Sequence, residues 1–176
     1  MKHQGYFMNR ILILIVLLFP ITDYSKERPL SDKDICAKNL AGKILKNKPS
    51  IKKEKLENLV YNLLELKEKY KIDLFVYSAI LMQESSYNLK AISETGDYGI
   101  SQINIENIRK MKLDKIKLTT DLKYSLEAGA IILGNFKIQY EKKEKDYWTR
   151  YNSSNSKKRA LYKKLVKRFM WKITKY

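Results

Sequence analysis

The chain has 176 residues, enough for one domain and a leader, and its 44% hydrophobic and 31% charged residues are typical of a globular protein. Its only cysteine, Cys36, excludes an intramolecular disulfide, and its only histidine, His3, lies near the N-terminus. Mechanisms that need a Ser–His or Cys–His pair, or a histidine-bound metal, are therefore nearly excluded. The formal net charge of +17 favours anionic partners, although solvated lysine-rich helix faces explain it equally well.

The N-terminus has the pattern of a secretory leader. Lys2 and Arg10 precede an uninterrupted apolar run over residues 11–19, which is shorter than the roughly 20 residues that cross a bilayer. We therefore predict a signal peptide over residues 1–24 and an exported protein of the periplasm or cell envelope. Because the residues after the run offer no clean small-residue cleavage site, an uncleaved N-terminal anchor stays open, and it would be the chain's only contact with the membrane.

Helical periodicity dominates the remainder of the chain. Capping residues and apolar spacing predict helices that begin at or near Ser31, residue 51, Asp73, residue 105, Asp121 and Ser156. Residues 86–104 instead contain glycines, serines and short alternation, which predicts a loop with a small hairpin. The expected fold is mainly α, with a helical segment at 25–72 and a catalytic domain at 73–176. The segment at 25–72 is either an extra helical layer or a partner-docking element, and Cys36 within it is expected to be a buried thiol.

One carboxylate interrupts the apolar pattern of the helix that follows Asp73. Tyr77, Ile80, Leu81 and Glu84 are spaced i, i+3, i+4 and i+7, so they share one face. Burial raises the pKa of a carboxyl group, which suits a general acid that protonates a glycosidic oxygen. The alternative is an ordinary glutamate at a helix end that reaches water.

The loop that follows Glu84 is rich in groups suited to a saccharide. Tyr98 supplies an aromatic ring, and Gln102 and Asn104 supply amides that can pair with sugar hydroxyl and acetamido groups. Residues 84–104, ESSYNLKAISETGDYGISQIN, resemble the catalytic segment of the soluble lytic murein transglycosylases, ES-x-x-N, a serine and then G-x-x-G-L-M-Q. The matching positions are Glu84, Ser93, Gly96, Gly99 and Gln102.

Two later motifs of that family are also approximated. Residues 125–129, SLEAG, resemble its N-I-x-x-G helix start, with serine in place of asparagine. Tyr151 and Asn152 resemble its A-Y-N-A-G motif, with Arg150 ahead of them and two serines behind. The likeness to small transglycosylases that open the wall for type III or type IV secretion machines suggests components of such an apparatus as partners.

The resemblance implies a lysozyme-like fold with a specific chemistry. Glu84 would protonate the oxygen between N-acetylmuramic acid and N-acetylglucosamine of peptidoglycan and then, as a base, promote closure of a 1,6-anhydro ring. Ser93 and Gln102 would contact substrate, Tyr151 would form a hydrogen bond near the catalytic carboxyl, and Asn152 would lie beside it. No metal and no cofactor would be required.

Two other functions stay open. Asp97 is a candidate second carboxylate, because its surroundings also resemble c-type lysozymes, although a turn role is the simpler interpretation. The second alternative is a non-catalytic wall-binding protein, and export argues against a nucleic-acid partner. The binding surface would combine basic and aromatic residues, namely Lys142, Lys143, Lys157, Lys158, Arg159, Lys163 and Lys164 with Tyr162, Phe169 and Trp171.

Overall fold

Helices account for the regular structure of residues 31–175, the part of the chain that the computed structural model describes. In chain order they are α1 (Asp32–Asn47), α2 (Lys53–Tyr70), α3 (Leu74–Ser85), α4 (Ile105–Met111), α5 (Lys115–Thr120), α6 (Leu122–Tyr140), a 3-10 helix (Tyr147–Tyr151) and α7 (Ser156–Thr174). The predicted leader at residues 1–24 lies outside the described residues. The mainly helical fold is confirmed.

Side-chain caps begin most of these helices where the sequence predicts. Ser31 forms a capping box with Asp34 at α1, and Asp73 accepts hydrogen bonds from the amides of Phe75 and Val76 at α3. Asp121 caps α6 in the same way. Each cap satisfies amide groups that the first helical turn leaves without partners, so these starts are encoded locally.

The predicted hairpin is less regular than expected. Between Ser86 and Asn104 the described backbone forms only two isolated antiparallel bridges, Ile92 with Tyr98 and Tyr98 with Ile103. Two elements were not predicted, the six-residue helix α5 and the 3-10 helix. Both are much shorter than the window of about 11 residues in which an apolar helical periodicity can be recognised.

Helix α3 is the centre of the core. Its residues from Val76 to Leu81 are all buried, and it packs against α2 and α7. Tyr77 ties it to its surroundings, because its hydroxyl donates to the carbonyl of Leu126 (2.6 Å) and pairs with the Ser101 hydroxyl (3.0 Å). A helix buried on all sides keeps the residues at its end in fixed positions relative to α6 and α7.

Helix α1 is a layer on α2 and α7. It buries Ala37, Leu40 and Ile44, and Cys36 is half-buried against the same core. Most apolar residues of α1 and α2 are thus covered within the chain itself, although Ile35 and Leu45 are 48% and 41% exposed. Among the described helices, none combines the length and apolar character needed to cross a membrane.

Candidate active site

Glu84 lies in the last turn of α3, with its side chain directed toward α7. The hydroxyl of Tyr162, a buried residue of α7, donates to Glu84 Oε1 at 2.5 Å. Helix α3 ends one residue later, because Ser86 adopts a left-handed conformation with φ 52°. The carboxyl is therefore held at a helix end by a partner from a distant segment, and Glu84 is not a freely solvated terminal glutamate.

The surroundings of Glu84 keep its proton bound near neutral pH. Burial raises the pKa of Glu84 to about 7, the hydrogen bond from Tyr162 lowers it, and repulsion from Asp97 raises it. A pKa this close to neutral leaves both the protonated and the ionised form of Glu84 populated near pH 7. A carboxyl group with this pKa can both donate and accept a proton at neutral pH.

Tyr151 is near enough to Glu84 for the carboxylate charge to affect its pKa, but its hydroxyl binds elsewhere. Its hydroxyl donates to the carbonyl oxygen of Ser101 at 2.8 Å. Burial raises the pKa of Tyr151 well above its usual value, and the charges of Tyr77 and Glu84 raise it further. Tyr151 therefore stays neutral next to the carboxyl, and it fixes the backbone of the loop at Ser101.

Ser93 and Asp97 are bound to each other. The Ser93 hydroxyl donates to Asp97 Oδ2 (3.0 Å) and accepts from the Asp97 amide (2.9 Å), and the Thr95 hydroxyl donates to the same carboxylate oxygen (3.0 Å). This network closes the turn around Gly96. Asp97 is nevertheless near enough to Glu84 for its charge to affect the pKa of that carboxyl.

Gln102 and Gly99 shape the loop. Gln102 Nε2 donates to the carbonyls of Gly99 (2.8 Å) and Ala91 (3.2 Å). Gly99 has φ 76°, and a Cβ atom there would lie 2.0 Å from the Leu118 carbonyl oxygen and 2.4 Å from the Ser125 hydroxyl. Only glycine fits at position 99, where the loop meets α5, because the Leu118 backbone atoms cannot move aside without a large cost.

The remaining sequence-predicted residues form the border of the loop. Tyr98 is half-buried, with the Lys115 ammonium 5.3 Å from its ring centroid. Asn104 is exposed, and its side chain caps α4 by accepting from the Asn107 amide (2.8 Å). Asn152 is exposed directly after the 3-10 helix.

Tyr162 is the residue that the sequence analysis misplaced. It was expected on a basic aromatic surface, but it is only 4% exposed and its hydroxyl is bound to Glu84. Its i, i+4 spacing to Val166, which is also buried, is the signal that could have placed it on the inner face of α7.

Among residues 31–175, no three His, Cys, Asp or Glu side chains lie close enough together to hold a metal ion. Glu84 is a carboxyl group whose near-neutral pKa suits proton transfer.

A family model described as Transglycosylase SLT domain matches residues 62–169. The matched range contains Glu84, the loop with Ser93 to Gln102, Tyr151 and Tyr162. Neither the curated proteins nor the solved structures give a match.

Proposed function

Because the chain belongs to the transglycosylase SLT domain family, the lytic transglycosylases of peptidoglycan, we propose that Glu84 is its single catalytic acid and base. The proposed reaction cleaves the β-1,4 bond between N-acetylmuramic acid and N-acetylglucosamine and leaves 1,6-anhydromuramoyl ends. The observation that carries the proposal is the Glu84 carboxyl, which is half-buried at the end of α3, has a pKa of about 7 and accepts a hydrogen bond from Tyr162.

In the first step, protonated Glu84 donates its proton to the glycosidic oxygen. The bond from this oxygen to C1 of the muramic acid breaks, and the N-acetylglucosamine end leaves as an alcohol. The substrate's own acetamido group stabilises the positive charge at C1. Glu84 is left as a carboxylate, which the Tyr162 hydroxyl stabilises by its hydrogen bond.

In the second step, the Glu84 carboxylate takes the proton of the C6 hydroxyl of the same muramic acid. The oxygen at C6 then bonds to C1 and closes the anhydro ring, and Glu84 regains the proton with which it started. No water is consumed. A pKa near the working pH suits both steps, because the same group must release a proton and recover it.

We propose that the surrounding residues shape the saccharide cleft. Ser93 and Gln102 use their donor groups to hold the loop, so we infer that they contact substrate mainly through the surface that this loop presents. Tyr98, Asn104 and Asn152 lie at the border of the loop and are assigned to sugar contacts further from the reacting bond.

Hydrolysis with Asp97 as a second carboxylate is the competing function, and the charge of Asp97 at Glu84 is the observation in its favour. The hydrogen bonds from Ser93 and Thr95 instead support a role in the turn. Asp97→Asn distinguishes the two. We expect activity within about tenfold of wild type, whereas loss of a nucleophile would cost about 10³-fold or more.

The setting of the reaction is also a proposal. The leader pattern of residues 1–24 supports export to the periplasm or cell envelope. A role in opening the wall for a type III or type IV secretion machine rests on the resemblance to small specialised transglycosylases.

The experiment that tests the proposed role of Glu84 compares wild type with Glu84→Gln on purified peptidoglycan. We expect release of soluble muropeptides to fall by about 10²–10⁴-fold while sedimentation with the insoluble wall is retained. Equal release by both proteins would contradict the role of Glu84. Equal sedimentation without release by either protein would instead support the non-catalytic wall-binding function.

A further inference from the structure

Helix α7 has two faces of different chemistry. Its inner face contributes the buried residues Tyr162, Val166 and Ile173. Its other side, here called the outer face of α7, consists of seven exposed residues at helical spacing: Lys157, Lys158, Leu161, Lys164, Leu165, Arg168 and Trp171. The spacing 157, 161, 164, 165 and 168 follows one stripe of a helix, so these side chains form a continuous surface.

Large apolar side chains are exposed within this stripe. Leu161 is 61% exposed, Leu165 36% and Trp171 54%. The ammonium of Lys175 lies 4.2 Å from the Trp171 ring centroid, so a cation also borders the aromatic ring. Their grouping in one stripe, rather than their exposure alone, marks a surface suited to contact with an apolar phase.

The charges on α7 are all of one sign. The helix sequence SKKRALYKKLVKRFMWKIT contains no acidic residue. The cations on its flanks are neutralised within the chain, Arg159 by Glu144 (2.7 Å) and both Lys163 and Lys167 by Asp146. In contrast, none of the ion pairs found among residues 31–175 includes a cation of the outer face.

We propose that the outer face of α7 docks on a membrane surface that contains anionic lipids. The cations would approach the lipid headgroups, while Leu161, Leu165 and Trp171 would enter the boundary between headgroups and acyl chains. An anionic polymer alone would satisfy the cations but would leave the leucines and the tryptophan in water. A bilayer surface satisfies both kinds of group, and tryptophan is typical of this boundary.

The docked orientation leaves the candidate active site uncovered. Tyr162, which binds Glu84, follows Leu161 by one residue and is therefore turned about 100° away from it around the helix axis. The helix itself, about 10 Å in diameter, would separate Glu84 from the lipid. The inference concerns only this surface and does not depend on the chemistry assigned to Glu84.

The two tryptophans allow a test on the full chain. Trp148 is 3% exposed in the core, so a change in exposure to solvent reports Trp171. Tryptophan emission and acrylamide quenching are measured with vesicles of phosphatidylcholine and with vesicles of equal parts phosphatidylcholine and phosphatidylglycerol. The same measurement on Trp171→Phe gives the contribution of Trp148. Every protein compared carries the same residues 1–24, so insertion of an uncleaved leader contributes equally to all of them.

Two pairs of variants separate the contributions of the surface. Leu161→Ser with Leu165→Ser removes its apolar part, and Lys164→Glu with Arg168→Glu reverses charge without touching the core. The matched controls are Ile116→Ser with Ile138→Ser, whose side chains are 73% and 86% exposed on other helices, and Lys110→Glu with Lys112→Glu.

We expect the Trp171 emission to shift to the blue and the ring to be protected from acrylamide only with the anionic vesicles. High salt should reverse both effects. Each outer-face pair should weaken partitioning about tenfold or more, and the control pairs should leave it within about twofold. The proposal is overturned if Trp171 stays accessible, if pure phosphatidylcholine protects it equally, or if outer-face and control pairs behave alike. Protection by a soluble polyphosphate without a response to vesicles would also overturn it, in favour of an anionic polymer.

Discussion

At the scale of single residues, two opposing effects decide how strongly the Glu84 carboxyl holds its proton. The Tyr162 hydroxyl donates to the carboxyl, which favours its charged form, while burial favours the neutral form and has the larger effect. The balance places the pKa of Glu84 at about 7. Each contribution can be removed separately by substitution.

Tyr162→Phe removes the hydrogen bond and retains the ring. We expect the pKa of Glu84 to rise, so the alkaline limb of the activity profile moves to higher pH, and we expect activity to fall about tenfold because the carboxyl is less well oriented. The pH dependence of muropeptide release measures both effects. Tyr151→Phe is the matched control, since its hydroxyl binds the Ser101 carbonyl instead. An unchanged alkaline limb in Tyr162→Phe would show that the bond does not tune Glu84.

Glu84→Gln should stabilise the fold at high pH. The raised pKa means that folded wild type binds more protons than the unfolded chain between pH 4.5 and about 7, so its stability falls over this window as pH rises. Glutamine does not titrate, and we expect the variant to be more stable by roughly 3 kcal/mol at pH 8 and equal at pH 4. Urea unfolding at both pH values measures this. Glu94→Gln, at an exposed position, is the control; a variant of Glu84 that gains nothing at pH 8 would contradict the burial of its charge.

At the scale of elements, Gly99 in the loop and Gly129 on α6 allow the helices and the loop to approach closely. A Cβ atom at Gly129 on α6 would lie 2.4 Å from the Tyr77 hydroxyl oxygen and 2.7 Å from the Ser101 side chain. These two groups form the hydrogen bond that joins α3 to the loop. The site therefore needs a residue without a side chain at this crossing.

Gly129→Ala is expected to destabilise the protein by about 2–4 kcal/mol, because it forces apart well-packed groups and disturbs a buried hydrogen bond. Gly42→Ala is the matched control on α1, where an added Cβ would meet nothing within 4 Å. That control should stabilise the protein by about 0.5–1 kcal/mol through its helix propensity. Equal effects of the two substitutions in urea unfolding would show that the Gly129 crossing is not tightly packed.

Elements with local signals were predictable from the sequence, whereas contacts between residues distant in sequence were not. The caps at Ser31, Asp73 and Asp121 and the apolar spacing that ends at Glu84 involve neighbours within one or two turns. Helix α5 has only six residues and exposes Ile116, so it lacks a periodic stripe. Tyr162 is 78 positions from Glu84, and their contact depends on how α7 packs against α3.

At the scale of the whole molecule, α1 and α2 complete the structure around α3, the helix that carries Glu84. Helix α1 packs on both α2 and α7, and α7 supplies the partner of Glu84. The sequence predicted helices in residues 25–72 from their apolar stripes but left open whether a partner protein covers them. Burial of Leu40 and Ile44 within the chain favours the helical layer.

Leu40→Ala tests this layer. Leu40 is 1% exposed, and we expect a loss of about 2–4 kcal/mol with a single unfolding transition, because α1 packs on α2 and α7. Leu45→Ala, at a position 41% exposed on the same helix, should cost less than about 1 kcal/mol. A separate early transition in which only α1 melts would show that the layer is an independent appendage.

Mass spectrometry of the released muropeptides tests most directly which product Glu84 generates from peptidoglycan. Wild type and Asp97→Asn are predicted to release fragments with 1,6-anhydromuramoyl ends, and Glu84→Gln is predicted to release almost none. Reducing muramoyl ends from wild type, lost in Asp97→Asn, would contradict the account and assign the chain to two-carboxylate hydrolysis.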